Sequence, residues 1–163
     1  MLREDALYAS YRRLERPLYN VLYRQLWQAE DCQDVIHDAF VRVWERRAKV
    51  DEATLDALVW TTALNLARNR LRWRRLWRQA PLDEAEAMME GAGDTDFLAT
   101  RRLRQALREL PAAMRDVLLL AEFSGLRGAE IAAVLGIPAG TVASHKHHAM
   151  ERLKALLGEP VDA

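Results

Sequence analysis

The stretch EIAAVLGIPAGTVASHKHHAMERL, residues 130–153, decides how this chain is read. Ala132 and Gly136 lie four apart and Val142 follows six later, which is the spacing of a helix-turn-helix. A small side chain at Ala132 lets a second helix come close, and Gly136 supplies the turn between the two. Ile131, Leu135, Ile137 and Val142 form the apolar set that would knit the pair together. Pro138 and the Ala-Gly-Thr after it set the start of the second helix, whose first turn can meet a DNA phosphate or a groove edge. The same spacing also fits an ordinary helical corner, which is common in all-α proteins.

The second half of this stretch departs from a usual DNA-reading helix. Ala143, His145, His147 and His148 stand where such a helix usually carries lysine and arginine. His145 and His148 are one turn apart and Glu151 lies within reach of His147 or His148, so a surface metal pair is geometrically conceivable. A third ligand and an HExxH-like pattern are missing, and no metal is expected. Imidazoles on a solvated face, or touching phosphates, are the better reading. Lys146 is expected on the buried stripe of Val142, Ala149, Leu153 and Leu156, its stem packed and its ammonium reaching water.

Upstream, strand signals are almost absent and helical periodicity dominates. Cys32, Val35, Ile36, Ala39, Val43 and Trp44 give one buried face to a helix over residues 30–47. Leu55, Leu58, Val59, Thr62 and Leu66, continued by Trp73 and Trp77, predict a long helix ending near Gln79. Leu7, Tyr11 and Leu14 predict a first helix, with Pro17 marking a break or the start of the next one. PLDEAEAMMEGAGDTDF, residues 81–97, is acidic, holds Gly91 and Gly93 and lacks an apolar face, so it reads as a flexible linker. Leu103, Leu107 and Leu110 open a second helical unit, and Pro111 can start a helix running to about Phe123 with Val117, Leu118 and Leu120 inward. The expected fold class is all-α: two small helical domains, residues 1–80 and 98–163, joined by an acidic linker.

Charge is segregated under a formal net charge of zero. Residues 1–80 hold 15 Lys and Arg against 11 Asp and Glu, residues 81–100 hold none against 6, and residues 101–163 hold 9 against 7. A partner held by the total charge is therefore disfavoured, and local basic patches matter more. One such patch is ARNRLRWRRLWRQ, residues 67–79, in which six arginines alternate with Trp73 and Trp77. Arginine supplies phosphate contacts and tryptophan can stack on an unpaired base. The plainer reading makes both tryptophans core and leaves the arginines alone to face solvent or DNA. No Ser/His/Asp set, phosphate-cradling glycine loop or pair of acids in an apolar setting stands out, so neither an enzyme nor a cofactor is expected. A single Cys32 excludes an internal disulfide, and no apolar run approaches a membrane span, so a reducing cytoplasm is the expected location.

Together these motifs resemble a bacterial extracytoplasmic-function sigma factor, a two-domain initiation subunit of RNA polymerase. DCQDVIHDAFVRVWERR (residues 31–47) is similar to that family's polymerase-binding helix. TTALNLARNRLRWRR (residues 61–75) is similar to its −10 promoter helix, and residues 107–157 to its −35 domain. The resemblance implies that Asp34, Asp38, Phe40, Val41 and Trp44 form or support a surface for the polymerase clamp. It implies that Arg47 and the loop at residues 48–54 capture a flipped −10 base, with Asn65, Asn69, Arg72 and Arg75 along the promoter strand. Thr141, Ser144, His145 and His148 would sit at the −35 groove and Arg152 near its backbone. Core polymerase and promoter DNA are the implied partners, with an anti-sigma factor or another inhibitory regulator a further one.

Departures from the pattern bear mainly on −35 recognition. Gln33 replaces a usual acid, Leu64 a usual arginine, and Arg127 a usual Ser or Thr cap. After Gly-Thr-Val, Ala143, His145, Lys146, His148 and Met150 replace the common basic pattern and a core leucine. Fewer fixed charges release fewer counterions on DNA. Two other readings compete with a sigma factor. One is a sigma-like protein that binds polymerase or a regulator without reading promoters. The other is a plain helix-turn-helix repressor, disfavoured by the lack of an obvious dimerisation element.

Overall fold

The computed structural model describes residues 1–77 and 94–158. Seven α-helices account for almost all of them: α1 Glu4–Leu26, α2 Ala29–Glu45, α3 Leu55–Leu76, α4 Asp94–Glu109, α5 Ala112–Phe123, α6 Gly128–Leu135 and α7 Ala139–Leu156. Two 3-10 turns, Arg47–Lys49 and Glu52–Thr54, join α2 to α3. Most of the acidic stretch expected as a linker lies outside the described residues. Its last four residues, 94–97, already belong to α4.

Helix α1 runs unbroken through Pro17, against the break expected there. An internal proline costs roughly 3 kcal/mol through its lost N–H and ring clash. Leu18, Val21, Leu22 and Leu26 are fully buried along the same helix. At about 1.5–3 kcal/mol for each such side chain, packing outweighs the proline. Trp27 ends the helix in the left-handed conformation (φ 59°), with its N–H on the Tyr23 carbonyl at 2.8 Å. A non-glycine residue there is strained, and two aromatic contacts hold it. The Tyr23 ring lies 5.6 Å away, and the Arg104 guanidinium stands 5.6 Å from the indole. Burial pushes the Arg104 pKa down to about 10.

Helices α1, α2 and α3 pack on one another, and α5, α6 and α7 form a second cluster with α4 against α7. Buried Ser10 donates to Asp56 at 2.7 Å and Arg13 reaches the same carboxylate at 2.9 Å, joining α1 to α3. The long stripe of α3 sits further round the helix than periodicity suggested. Leu55, Val59, Trp60, Ala63, Leu64 and Ala67 are buried, while Leu58, Thr62 and Leu66 lie at its margins. Pro111 caps α5 as expected, and Val117, Leu118 and Leu120 point into the core.

The two clusters touch through α1 with α5 and α3 with α6. Asp116 of α5 has a side chain only 3% exposed, and it accepts hydrogen bonds from Gln25 of α1 (2.9 Å) and from Arg68 of α3. Thr61 of α3 donates to the Val134 carbonyl of α6 at 2.8 Å, and Arg24 lies 4.1 Å over the Phe123 ring. The Asp116 pair is asymmetric, because the Arg68 side chain remains 44% exposed. Arg68→Ala strands a buried carboxylate and should cost roughly 3 kcal/mol, part of it recovered if the two clusters separate. Asp116→Ala leaves an arginine that water can solvate and one orphaned amide, a cost of about 1–2 kcal/mol. Denaturant unfolding of both variants measures the difference, and equal losses would mean the buried charge is not what matters at this contact.

Candidate nucleic-acid interface

Helix α3 presents different side chains on its different sides. Asn65, Asn69 and Arg72 recur at steps of four and three, so they share one face, and all three are exposed. Arg75 is exposed on the next turn toward α5. Arg70 and Arg74 instead turn toward α2, correcting the expectation that the arginines simply face solvent or DNA. Arg70 pairs with Asp31 at 2.8 Å and approaches Asp34 at 3.7 Å. Arg74 also pairs with Asp31, and it donates to the Leu26 carbonyl (2.7 Å) and the Gln28 side chain (3.1 Å). One guanidinium thereby satisfies an orphan carbonyl at the end of α1 and ties the α1–α2 corner to α3.

Trp73 and Trp77 are not core. They are 59% and 61% exposed, their rings stacked with centroids 5.9 Å apart and planes 13° apart. Four-residue spacing alone pointed inward, but the amphipathic pattern stops at Arg70. Arg70, Arg72, Arg74 and Arg75 put charge on every side of the last two turns, which leaves no continuous apolar face. Sequence reasoning missed that signal.

On α2, Asp34, Asp38 and Val41 are exposed at four- and three-residue steps and form one narrow surface. Phe40 lies behind it, 7% exposed, with its ring edge-on to Tyr11 at 5.2 Å. It supports that surface and does not present itself on it. Trp44 is half-buried beneath Arg47, whose guanidinium sits 4.5 Å from the indole and donates to the Trp44 carbonyl at 3.0 Å. The Arg47 side chain is thus folded onto α2. Cys32 is buried in the same helix, and burial pushes its thiol up to about 12, far from a reactive thiolate.

The helix-turn-helix is α6 and α7. Gly136 takes the left-handed conformation (φ 69°), and its N–H and that of Ile137 both reach the Ala132 carbonyl, at 2.8 and 3.1 Å. Ile131 and Val142 are buried between the helices. Arg127 at the start of α6 offers no acceptor, so the usual reciprocal cap is halved. Glu130 supplies the remaining half by accepting from the Arg127 N–H at 2.8 Å, a bond that lowers its pKa.

On α7, Ser144, His148 and Arg152 are exposed, Thr141 and His145 half-buried. Lys146 is fully on the exposed side, not on the buried stripe. The buried face is centred on Val142 and Ala149, and a 100° turn per residue puts positions 145 and 146 about 50° to either side of its middle; half-buried Thr141 and His145 share one flank, while Lys146 on the other is exposed. His147 and His148 meet edge to face at 5.5 Å, and His148, Glu151 and Arg152 line one open groove with Met114. Among the described residues no three His, Cys, Asp or Glu groups come together to hold a metal ion, and no helix is long and apolar enough to cross a membrane.

Residues 10–79 match the family described as Sigma-70 region 2, and residues 100–153 that described as Sigma-70, region 4. The RNA polymerase sigma-E factor of Streptomyces coelicolor is 32% identical over 99% of this chain and 85% of its own length. The ECF RNA polymerase sigma factor SigL of Mycobacterium tuberculosis is 28% identical over 98% of this chain and 97% of its own. Among solved structures, CnrH in complex with the cytosolic domain of CnrY superposes with a TM-score of 0.74 at 24% identity, over 98% of this chain and 92% of that one.

The turn at Gly136 makes its own prediction. A Cβ there meets nothing within 4 Å, so the cost of a side chain is backbone strain alone. Gly136→Ala should lower stability by about 1 kcal/mol, and Gly136→Asn by less, because asparagine tolerates the left-handed region. Thermal unfolding that ranks asparagine below alanine would contradict this account of the turn.

Proposed function

The chain belongs to the extracytoplasmic-function group of the sigma-70 family, and from that membership we propose how its surfaces divide the work. It is an alternative sigma factor: it binds core RNA polymerase and directs initiation of DNA-templated transcription at promoters. The observation that carries this is the pair of family regions, matched in order along most of the chain. The test is run-off transcription with purified core polymerase on genomic fragments. Discrete start sites that depend on the added chain are expected. Binding to polymerase without such starts would favour the sigma-like interaction protein instead.

Within this reading, residues 1–80 hold the polymerase and the −10 element, and residues 98–163 hold the −35 element. Asp34, Asp38 and Val41 meet the polymerase, with Phe40 and Trp44 fixing the helix beneath them. Exposed acids in line with one apolar side chain suit a basic, partly apolar clamp surface. Asn65, Asn69, Arg72 and Arg75 follow the −10 strand, since amides can bond base edges while arginines neutralise phosphates. Arg47 joins them only by leaving the Trp44 ring, and the loop at residues 48–54 captures the flipped base. Thr141, Ser144, His145 and His148 read the −35 groove with Arg152 at its backbone. Chemistry belongs to the polymerase, so the chain contributes no catalytic residue, and the cytoplasm is where it works. An anti-sigma factor is a fitting regulator, because one similar solved structure is that of the sigma factor RpoE in complex with the anti-sigma factor NepR from Bartonella quintana.

Asp38→Lys should weaken association with core polymerase about tenfold while leaving helicity unchanged, because the side chain is exposed. Co-purification at wild-type level would exclude Asp38 from the contact. The recognition helix yields a second expectation. His145→Ala with His148→Ala should weaken the hold of holoenzyme on −35 DNA about tenfold. Arginine at both positions should strengthen it and steepen the salt dependence by at most about one ion per substitution. Wild-type affinity of the double alanine variant would place −35 recognition elsewhere.

A further inference from the structure

The loop between α2 and α3 is poorly anchored by its own side chains. From residue 46 to residue 54 only Val50 is buried, and neither 3-10 turn contributes a buried residue. Internal bonds give the loop its shape. The Arg47 carbonyl accepts from the Val50 N–H at 3.3 Å, and the Asp51 side chain accepts from the Ala53 N–H at 3.1 Å. A surface loop with so few inward side chains opens easily unless something outside it holds it. The residues just ahead of α1 supply that hold. Leu2 is 2% exposed, in the same apolar core as Val50 and Leu55. Its N–H donates to the Arg47 carbonyl at 2.9 Å. Arg3 then reaches Glu52 at 3.3 Å. One contact thus falls on each 3-10 turn, while the packing of α1 on α3 has separate ties through Ser10, Arg13 and Asp56.

We propose that Leu2 and Arg3 are positioning residues for −10 recognition, holding residues 47–52 where a flipped base is received. This rests on the proposed −10 reading of the loop and names what keeps the loop in place. A site for one base discriminates only when its walls are fixed to within about half an ångström, since a loose wall admits every base. Arg47 shows how anchoring and engagement are divided. Its carbonyl is pinned by Leu2, while its guanidinium lies on the Trp44 ring and can leave by side-chain torsions alone. The loop then meets DNA without refolding, so little ordering cost is taken from the contact. The two anchors are unequal. Leu2 offers a buried side chain and a backbone bond, whereas the Arg3 pair is exposed and correspondingly weaker.

The test is transcription by holoenzyme from a promoter recovered with the wild-type chain. Its −10 region is changed one base at a time, and templates carrying distinct transcribed tags compete in one reaction. The ratio of transcripts among templates does not depend on how much of the protein is folded, so lost stability alone leaves it unchanged. Leu2→Asp keeps the N–H and removes the apolar anchor. It should lower the base preference at one −10 position at least about threefold and leave the other positions as in the wild type. Leu2→Met keeps the bulk and should keep the preference. Arg3→Glu alters an exposed side chain that the fold tolerates, and should cost about twofold at the same position, with Arg3→Lys close to wild type. A wild-type profile for both Leu2→Asp and Arg3→Glu, or a loss spread evenly over the −10 region, would overturn the proposal. Should Leu2→Asp abolish transcription altogether, the Arg3→Glu profile decides by the same criterion. Wild-type holoenzyme with no base preference in the −10 region would sink the reading of the loop itself, and the proposal with it.

Discussion

One nearly water-free carboxylate, Asp116, joins the two halves of this molecule. It lies on α5 and receives Gln25 from α1 and Arg68 from α3, so three helices converge on a single charge. An acid at 3% exposure is tolerable only with its partners in place. Its geometry therefore requires α1 and α3 to hold a fixed relation to α5. The Thr61 bond to the Val134 carbonyl and the Arg24 contact with Phe123 follow from that relation. Apolar packing runs across the same boundary, since the buried side chains of both halves belong to one continuous core.

Helix α3 shows how one element serves several ends. Its buried side, centred on Ala63 and Ala67, packs on α1 and α2. Arg70 and Arg74 spend their charge on Asp31, and Arg68 spends its own on Asp116. Only Arg72 and Arg75 of these five remain exposed without an ion pair among the described residues. An arginine-rich sequence is thus a poor count of the charge a helix offers to DNA. Leu64 fits the same logic. It stands where the family usually has arginine, and at 2% exposure it adds to the core where a guanidinium would need a partner.

Much of this was legible before the structure. The all-α class, the helix-turn-helix, the cap at Pro111 and the inward face of α5 all follow from periodicity and turn chemistry, which are local. What failed depended on neighbours. Pro17 reads as a break in isolation, yet four fully buried side chains on α1 override it. The two tryptophans were placed by extending a stripe beyond its buried part, and Lys146 by widening one to an exposed flank. The Asp116 pairing joins residues 48 and 91 positions apart, and no local pattern announces a contact of that range.

The histidine-bearing face of α7 becomes intelligible once affinity and specificity are separated. Contacts to phosphate attract a protein to any DNA, whereas contacts to base edges choose among sequences. A subunit that reaches DNA as part of a polymerase has little need of attraction of its own. Permanent lysines and arginines on α7 would then add hold on every sequence alike. Ser144 and the imidazoles of His145 and His148 can donate or accept hydrogen bonds at base edges while adding little fixed charge. Lys146, Arg152 and Lys154 are exposed and keep three permanent cations on the helix. If α7 lies at the −35 element as proposed, a smaller share of its binding would be indiscriminate attraction, and discrimination would rest on fewer and more directional bonds.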